Sequence, residues 1–348
     1  MTLFRILCPF RLLSVVLLLL VPNLVVLANI AAGGGALTVF GDRPLPEPVQ
    51  HPAWFRLSFL DLAEDLDETR AAGKQGLIVY LGQKDCAYCQ ALLEGNWGKA
   101  DIVAYTREHF EVVAIDIHGD RLVTDFDGQE MSERDYALRH QVNFTPTLLF
   151  YDTEGRVALR LPGYYPPYKF RAALTYVAEG YYRSESLRDY LGRADIGMVF
   201  EPGGLNQESF FQPPPFALDR SRIPGERPLL VFFEQPDCHA CDILHTGPLA
   251  DPRIRGRLGS FDVVQLGLWD DSPVITPDGR RTRARDWAAE LGLFYAPSLL
   301  FFDERGREIL RVDSVVQFYR LRNVLDYVLS RAYERYPTFQ AWRKAGSP

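Results

Sequence analysis

Cysteine is scarce in this chain. Five of the 348 residues are cysteine, namely Cys8, Cys86, Cys89, Cys238 and Cys241. Cys8 lies close to the N-terminus, and every other cysteine belongs to a C-x-x-C. Such sparse usage excludes a disulfide-stapled scaffold. A bridge across a two-residue gap barely constrains the unfolded chain, and a chain this long builds its core without staples. Basic residues are also few, 38 Lys and Arg against 45 Asp and Glu, for a net charge of -7. With no Lys/Arg block, that balance argues against a nucleic-acid partner. There is no phosphate-binding G-x-x-x-x-G-K and no G-x-G-x-x-G, so no nucleotide, flavin or nicotinamide cofactor is expected on this chain. His51, His109, His118 and His140 form no cluster with ligand spacing and read as solvated or structural residues.

One long apolar run is present, Leu12 to Ala28. Arg5 and Arg11 precede it, and Val26 and Ala28 suit the small-residue positions of a cleavage site. Pro22 and Asn23 interrupt it, and it is short for a membrane span. Residues 1–28 therefore read as an export signal cleaved after Ala28, with an uncleaved N-terminal membrane anchor as the alternative. Either way the bulk of the protein is expected outside the cytoplasm, periplasmic or secreted, where disulfides persist.

The remainder is an internal repeat. With Cys86 aligned on Cys238, "TPTLLFYDTEGR" from Thr145 matches "APSLLFFDERGR" from Ala296. Asp127-Gly128 matches Asp278-Gly279, and Asp135-Tyr136-Ala137 matches Asp286-Trp287-Ala288. The predicted units are residues 50–185 and 223–340. Residues 186–222 between them are rich in Pro and Gly and read as a linker, although Phe210, Phe211 and Phe216 are apolar enough to pack on a domain. A polar, Pro-rich stretch at about 41–52 separates the leader from the first unit.

Each unit predicts the order β-α-β-α-β-β-α. "LIVYL" (Leu77 to Leu81) and "LLVFF" (Leu229 to Phe233) are continuous apolar runs, as in strands buried on both faces. Phe59, Leu62, Leu66 and Thr69 have helical spacing and stop at Gly73. Ser132 and Asp135 predict a capped helix. Asp152 to Gly155 predict a hairpin turn. Each C-x-x-C falls directly after a core strand, at the start of a helix.

That order, with a C-x-x-C at a strand-to-helix turn and an X-Pro opening the third core strand, resembles the thioredoxin fold. The resemblance implies an α/β protein with two tandem domains, each a central mixed sheet flanked by helices. Cys86-Ala87-Tyr88-Cys89 goes with Thr145-Pro146, and Cys238-His239-Ala240-Cys241 with Ala296-Pro297. The family implies that these prolines are cis and face the cysteines. More loosely, the chain resembles exported thioredoxins of bacterial sulfur-oxidation systems. It departs from thioredoxin at the buried acid six residues before the first cysteine, where it has Tyr80 and Phe232. It departs again at the residue before that cysteine, where it has Asp85 and Asp237.

Thiol exchange needs one thiolate that attacks and a second thiol that resolves the mixed disulfide. At a helix start the positive end of the dipole favours thiolate, and such thiols titrate at roughly 3.5–7.5. Cys86 and Cys238 are the predicted nucleophiles, and Cys89 and Cys241 the resolving thiols. Protonated, His239 favours the Cys238 thiolate; the alternative is a solvated polar residue. Asp85 and Asp237 either disfavour thiolate or cap the following helix, the latter being the expectation. Tyr88 reads as a surface aromatic beside the substrate groove. Pro146 and Pro297 leave Thr145 and Ala296 free to pair with an extended substrate strand. Expected partners are proteins carrying thiols or disulfides, and a redox partner protein. A competing reading makes the fold a copper carrier or a non-catalytic client-binding module. It rests on Cys238, Cys241 and His245, spaced C-x2-C-x3-H. Leu93 stands where the first unit would need the equivalent ligand, and no fourth ligand is visible, so no metal site is assigned.

Overall fold

The apolar runs fold as the central strands of two sheets in the computed structural model, which describes residues 39–194 and 204–346. The stretch 1–28 read as an export signal lies outside the described residues. Among the described residues no helix is long and apolar enough to cross a membrane. The described part of Gly35–Pro348 belongs to a single unit.

The first domain runs α1 (Leu62–Ala71), β1 (Gly76–Gly82), α2 (Ala87–Gln90), a π-turn (Ala91–Asn96), α3 (Ala100–His109) and β2 (Phe110–Asp116). It continues with β3 (Leu122–Thr124), β4 (Glu130–Ser132), α4 (Glu133–Arg139), β5 (Thr147–Asp152), β6 (Val157–Pro162), α5 (Pro167–Ala178) and α6 (Leu187–Ala194). Next come β7 (Phe216–Ala217), β8 (Leu229–Glu234), α7 (His239–Thr246), α8 (Pro252–Leu258), β9 (Asp262–Gly267), β10 (Pro273–Ile275) and β11 (Arg281–Arg283). The chain ends with α9 (Ala284–Glu290), β12 (Ser298–Phe302), β13 (Glu308–Val312), α10 (Phe318–Leu329) and α11 (Phe339–Lys344).

The two sheets have the same topology, β2-β1-β5-β6 and β9-β8-β12-β13. In each, the strand before the C-x-x-C pairs parallel with one neighbour and antiparallel with the other. The repeat is register-true: Val79 faces Leu149 as Val231 faces Leu300. Both motif strands are buried throughout, because helices cover both sheet faces. Each domain accordingly has two apolar clusters, one per face.

Several expectations shift. Helix α1 starts at Leu62, with Asp61 Oδ1 accepting from Glu64 N at 3.0 Å. Phe59 therefore lies outside the helix and is exposed, whereas Leu60 is buried at φ 66°. The 186–222 stretch is not a plain linker. It contains α6, and β7 pairs with Val274 and Ile275, while Phe210 and Phe211 pack on the second core. The short pairs β3–β4 and β10–β11 went unread because three-residue strands carry too few alternations to show a period.

The domains meet across the segments that follow β6 and β13. Val315 N donates to the Tyr164 carbonyl at 3.0 Å. Tyr165 stacks on Phe294 at 5.4 Å, and Phe144 of the first domain packs on Phe339. Arg188 donates to the Leu293 and Leu268 carbonyls and lies 3.8 Å over the Trp269 ring. Gly163 makes the closest approach. Its φ is +101°, and a Cβ there would stand 2.1 Å from Ser314 Oγ. Gly163→Ala therefore forces the second domain's loop away. We expect a loss of about 1–3 kcal/mol, read as a lower urea midpoint for the full chain.

Candidate active sites at the two C-x-x-C turns

Each C-x-x-C is a disulfide, Cys86–Cys89 and Cys238–Cys241. The chain leaves a buried strand and turns, and the first cysteine becomes the N-cap of the next helix. Cys86 Sγ accepts from Cys89 N at 3.0 Å, and Cys238 Sγ from Cys241 N at 3.1 Å. Asp85 and Asp237, expected as caps, are one residue too early. Asp237 instead takes a left-handed turn at φ 52°, which swings the chain into the helix. A sulfur at the N-cap faces N–H groups that have no helical partner. Once reduced, it carries its negative charge against the positive end of the helix. The cap cysteines are 4 % and 8 % exposed, and Cys89 and Cys241 are fully buried. Cys86 and Cys238, the predicted nucleophiles, are thus the more exposed member of each pair.

The Thr145-Pro146 and Ala296-Pro297 bonds are cis, and each precedes a strand paired to the motif strand. Thr145 Oγ1 lies 3.3 Å from Cys86 Sγ, and Cys238 Sγ lies 3.6 Å from the Ala296 carbonyl. Each dipeptide is thus beside its cysteine. Access differs between the two: Thr145 is buried, Ala296 is half-buried, and His239 is exposed beside the second disulfide.

The first motif is covered by the second domain. Tyr88 is not a surface aromatic; it is 4 % exposed. Its hydroxyl donates to Asp42 Oδ2 at 2.8 Å and accepts from Gln317 N at 2.8 Å. The Arg320 guanidinium lies 3.3 Å over the Tyr88 ring, and its Nη2 donates to the Thr145 carbonyl at 2.8 Å. Asp42 also accepts from the Tyr319 and Arg320 amides at the start of α10. The polar stretch near residue 42 is therefore part of the site, not a spacer. A cavity of about 330 Å³ remains beside Cys86, with His118, Arg320, Arg343 and Lys344 in its wall. Burial, and then the Lys344 ammonium, hold His118 below its ordinary 6.5, so it is neutral at pH 7.

Sequence reasoning missed Asp42, His118 and Arg320 as site residues. Nothing local marks them: Arg320 is 175 positions from the carbonyl it contacts. Glu234 was missed too, although a carboxylate ending the run "LLVFFE" is a readable anomaly. It is fully buried four residues before Cys238. His245, weighed as a metal ligand, is turned to it. His245 Nε2 is 3.0 Å from Glu234 Oε1 and Nδ1 is 3.3 Å from Glu208 Oε1. With both ring nitrogens on carboxylates and the cysteines bonded to each other, these three residues do not assemble as a ligand set. Among the described residues no other group of His, Cys, Asp and Glu does so either.

Burial alone would lower the His245 pKa, but the Glu234 and then the Glu208 carboxylates outweigh it and hold it above 6.5. The charged pair therefore contributes stability that is full below pH 6.5 and is lost as pH rises through the raised value. Glu234→Gln should cost about 1–3 kcal/mol near pH 6 and distinctly less near pH 9. Urea unfolding at the two pH values measures the difference.

The thioredoxin-like domain family matches residues 62–178 and 216–329. No curated protein matches the chain. Among solved structures, a thioredoxin-fold protein from Helicobacter pylori is 24% identical, covering 35% of this chain and 86% of its own, with a TM-score of 0.31. A disulphide isomerase from Xylella fastidiosa Temecula1 is 19% identical over 38% of this chain and 86% of its own, at 0.22. A protein disulfide oxidoreductase from Aeropyrum pernix k1 is 13% identical over 81% of this chain and 97% of its own, at 0.24.

Proposed function

The chain belongs to the thioredoxin-like family, and from that premise we propose that it is an exported thiol–disulfide oxidoreductase whose two C-x-x-C sites exchange disulfides with thiol partners through mixed disulfides. The observation that carries this reading is the cap geometry. In both domains the more exposed sulfur of a disulfide accepts a helical N–H, and its mate is fully buried.

In the oxidised form a partner thiolate attacks Sγ of Cys86 or Cys238. The internal S–S bond breaks, a mixed disulfide forms, and Cys89 or Cys241 leaves as thiolate. A second partner thiolate then attacks the mixed disulfide, releasing oxidised partner and the reduced pair. The net change is two electrons from partner to protein, and the reverse sequence runs through the same mixed disulfide. The helix N-terminus stabilises the cap thiolate in either direction. Export rests on the leader at 1–28, which supplies the oxidising surroundings that two disulfides need; uncleaved, it would tether the protein to a membrane. No residue of either site adds to the looser likeness to sulfur-oxidation thioredoxins.

Removing the resolving thiols tests the roles. Cys89→Ser and Cys241→Ser should each retain a partner as a stable mixed disulfide on Cys86 or Cys238, visible by mass and reversed by dithiothreitol. Cys86→Ser and Cys238→Ser should trap at least ~10-fold less, because the remaining thiol is buried. Equal trapping by both kinds of variant would contradict the assignment.

A further inference from the structure

The second domain narrows what can reach Cys86. An extended polypeptide that pairs at the cis-proline needs the carbonyl of the preceding residue as acceptor. At the first site this carbonyl, on Thr145, already accepts from Arg320 Nη2 at 2.8 Å. Arg320 is held there from several sides. Its ring partner Tyr88 is 3.3 Å away, its amide donates to Asp42 at 2.7 Å, and it is buried. Farther along, Phe339 N donates to Asn143 Oδ1 at 2.9 Å, pinning α11 beside the same loop. The Thr145 carbonyl is thus engaged by the Arg320 side chain, while Cys86 still borders an opening of about 330 Å³. That volume is at the small-ligand end of binding cavities.

The charges around the opening are uneven. The Asp42 carboxylate is consumed by three donors. Arg320, Arg343 and Lys344 then face a single further carboxylate, Asp85. We infer that the first site exchanges with low-molecular-weight, carboxylate-bearing thiols and disulfides rather than with polypeptides, and that Arg320 sets this specificity. The inference rests on the oxidoreductase reading and names the substrate class of its first site. In the oxidising direction a small thiolate attacks Cys86 Sγ and displaces Cys89 as thiolate. A second small thiolate attacks the mixed disulfide and leaves as the small-molecule disulfide, with the pair reduced by two electrons. The second site, with Ala296 half-buried and His239 exposed, is the one left for protein partners.

The test uses the full chain with Cys238→Ser and Cys241→Ser, so that only the Cys86–Cys89 pair reports. Its reduction is timed by acid quench, alkylation and mass, with glutathione, cysteamine and a decapeptide carrying a central cysteine. Each rate is divided by the same thiol's rate with a free aromatic disulfide. Glutathione should exceed the decapeptide by at least ~10-fold, the factor a hydrogen bond to a charged group supplies, and should also exceed the cationic cysteamine. Arg320→Ala should raise the decapeptide rate by a similar factor and leave glutathione the less favoured for its lost charge. If that variant fails to fold, Arg320→Gln and the parent ratios carry the same comparison. A decapeptide as fast as glutathione in the parent overturns the size restriction, and cysteamine as fast as glutathione overturns the charge preference. If no thiol reduces the pair at all, the oxidoreductase reading of this site fails with it.

Discussion

A sulfur atom doing the work of a helix cap is the interaction on which the rest depends. In each domain the cysteine that ends the turn after a buried strand accepts the amide of the cysteine one turn on. An oxygen cap would satisfy the same N–H group, but it would carry no redox chemistry. Using sulfur ties the fold to the reaction. The hydrogen bond that starts the helix also fixes the cap cysteine 5.1 Å in Cα separation from its mate in the first domain and 5.2 Å in the second. The strand buried on both faces behind it keeps that turn from moving.

Duplication then supplies two such turns, and the interface makes them unequal. The first lies under Arg320, Gln317 and Tyr319 of the other domain, through contacts with Tyr88, Thr145 and Asp42. The second has a buried Glu234–His245 pair that the first, with Gly82 and Leu93 at those positions, does not possess. One copy of the unit has thus become partly a lid for the other, while the other copy carries a buried ion pair beneath its motif helix.

Much of this was legible in the sequence because it is local. Continuous apolar runs gave the central strands, helical spacing gave α1, and Ser132 capped α4 through Asp135 N as its position suggested. The paired C-x-x-C and X-Pro signals located both turns. The errors also have physical causes. A capping aspartate and a capping cysteine differ by one position, and only the backbone shows which residue ends in extended geometry. Tyr88 looked exposed because an aromatic between two cysteines carries no mark of the ring and guanidinium that cover it. The Asp42 and Arg320 contacts join residues 278 positions apart, and no periodicity within either unit reports on a surface that only the folded pair creates.

The central claim is that both pairs are redox centres. The direct measurement is a titration of residues 29–348 across glutathione and dithiothreitol redox buffers, counting free thiols by mass after alkylation. The account predicts that each pair passes fully between disulfide and dithiol as a two-electron step, with C-x-x-C cysteines appearing only in twos. A pair that stays oxidised at the most reducing poise, or whose thiols appear singly, would contradict it.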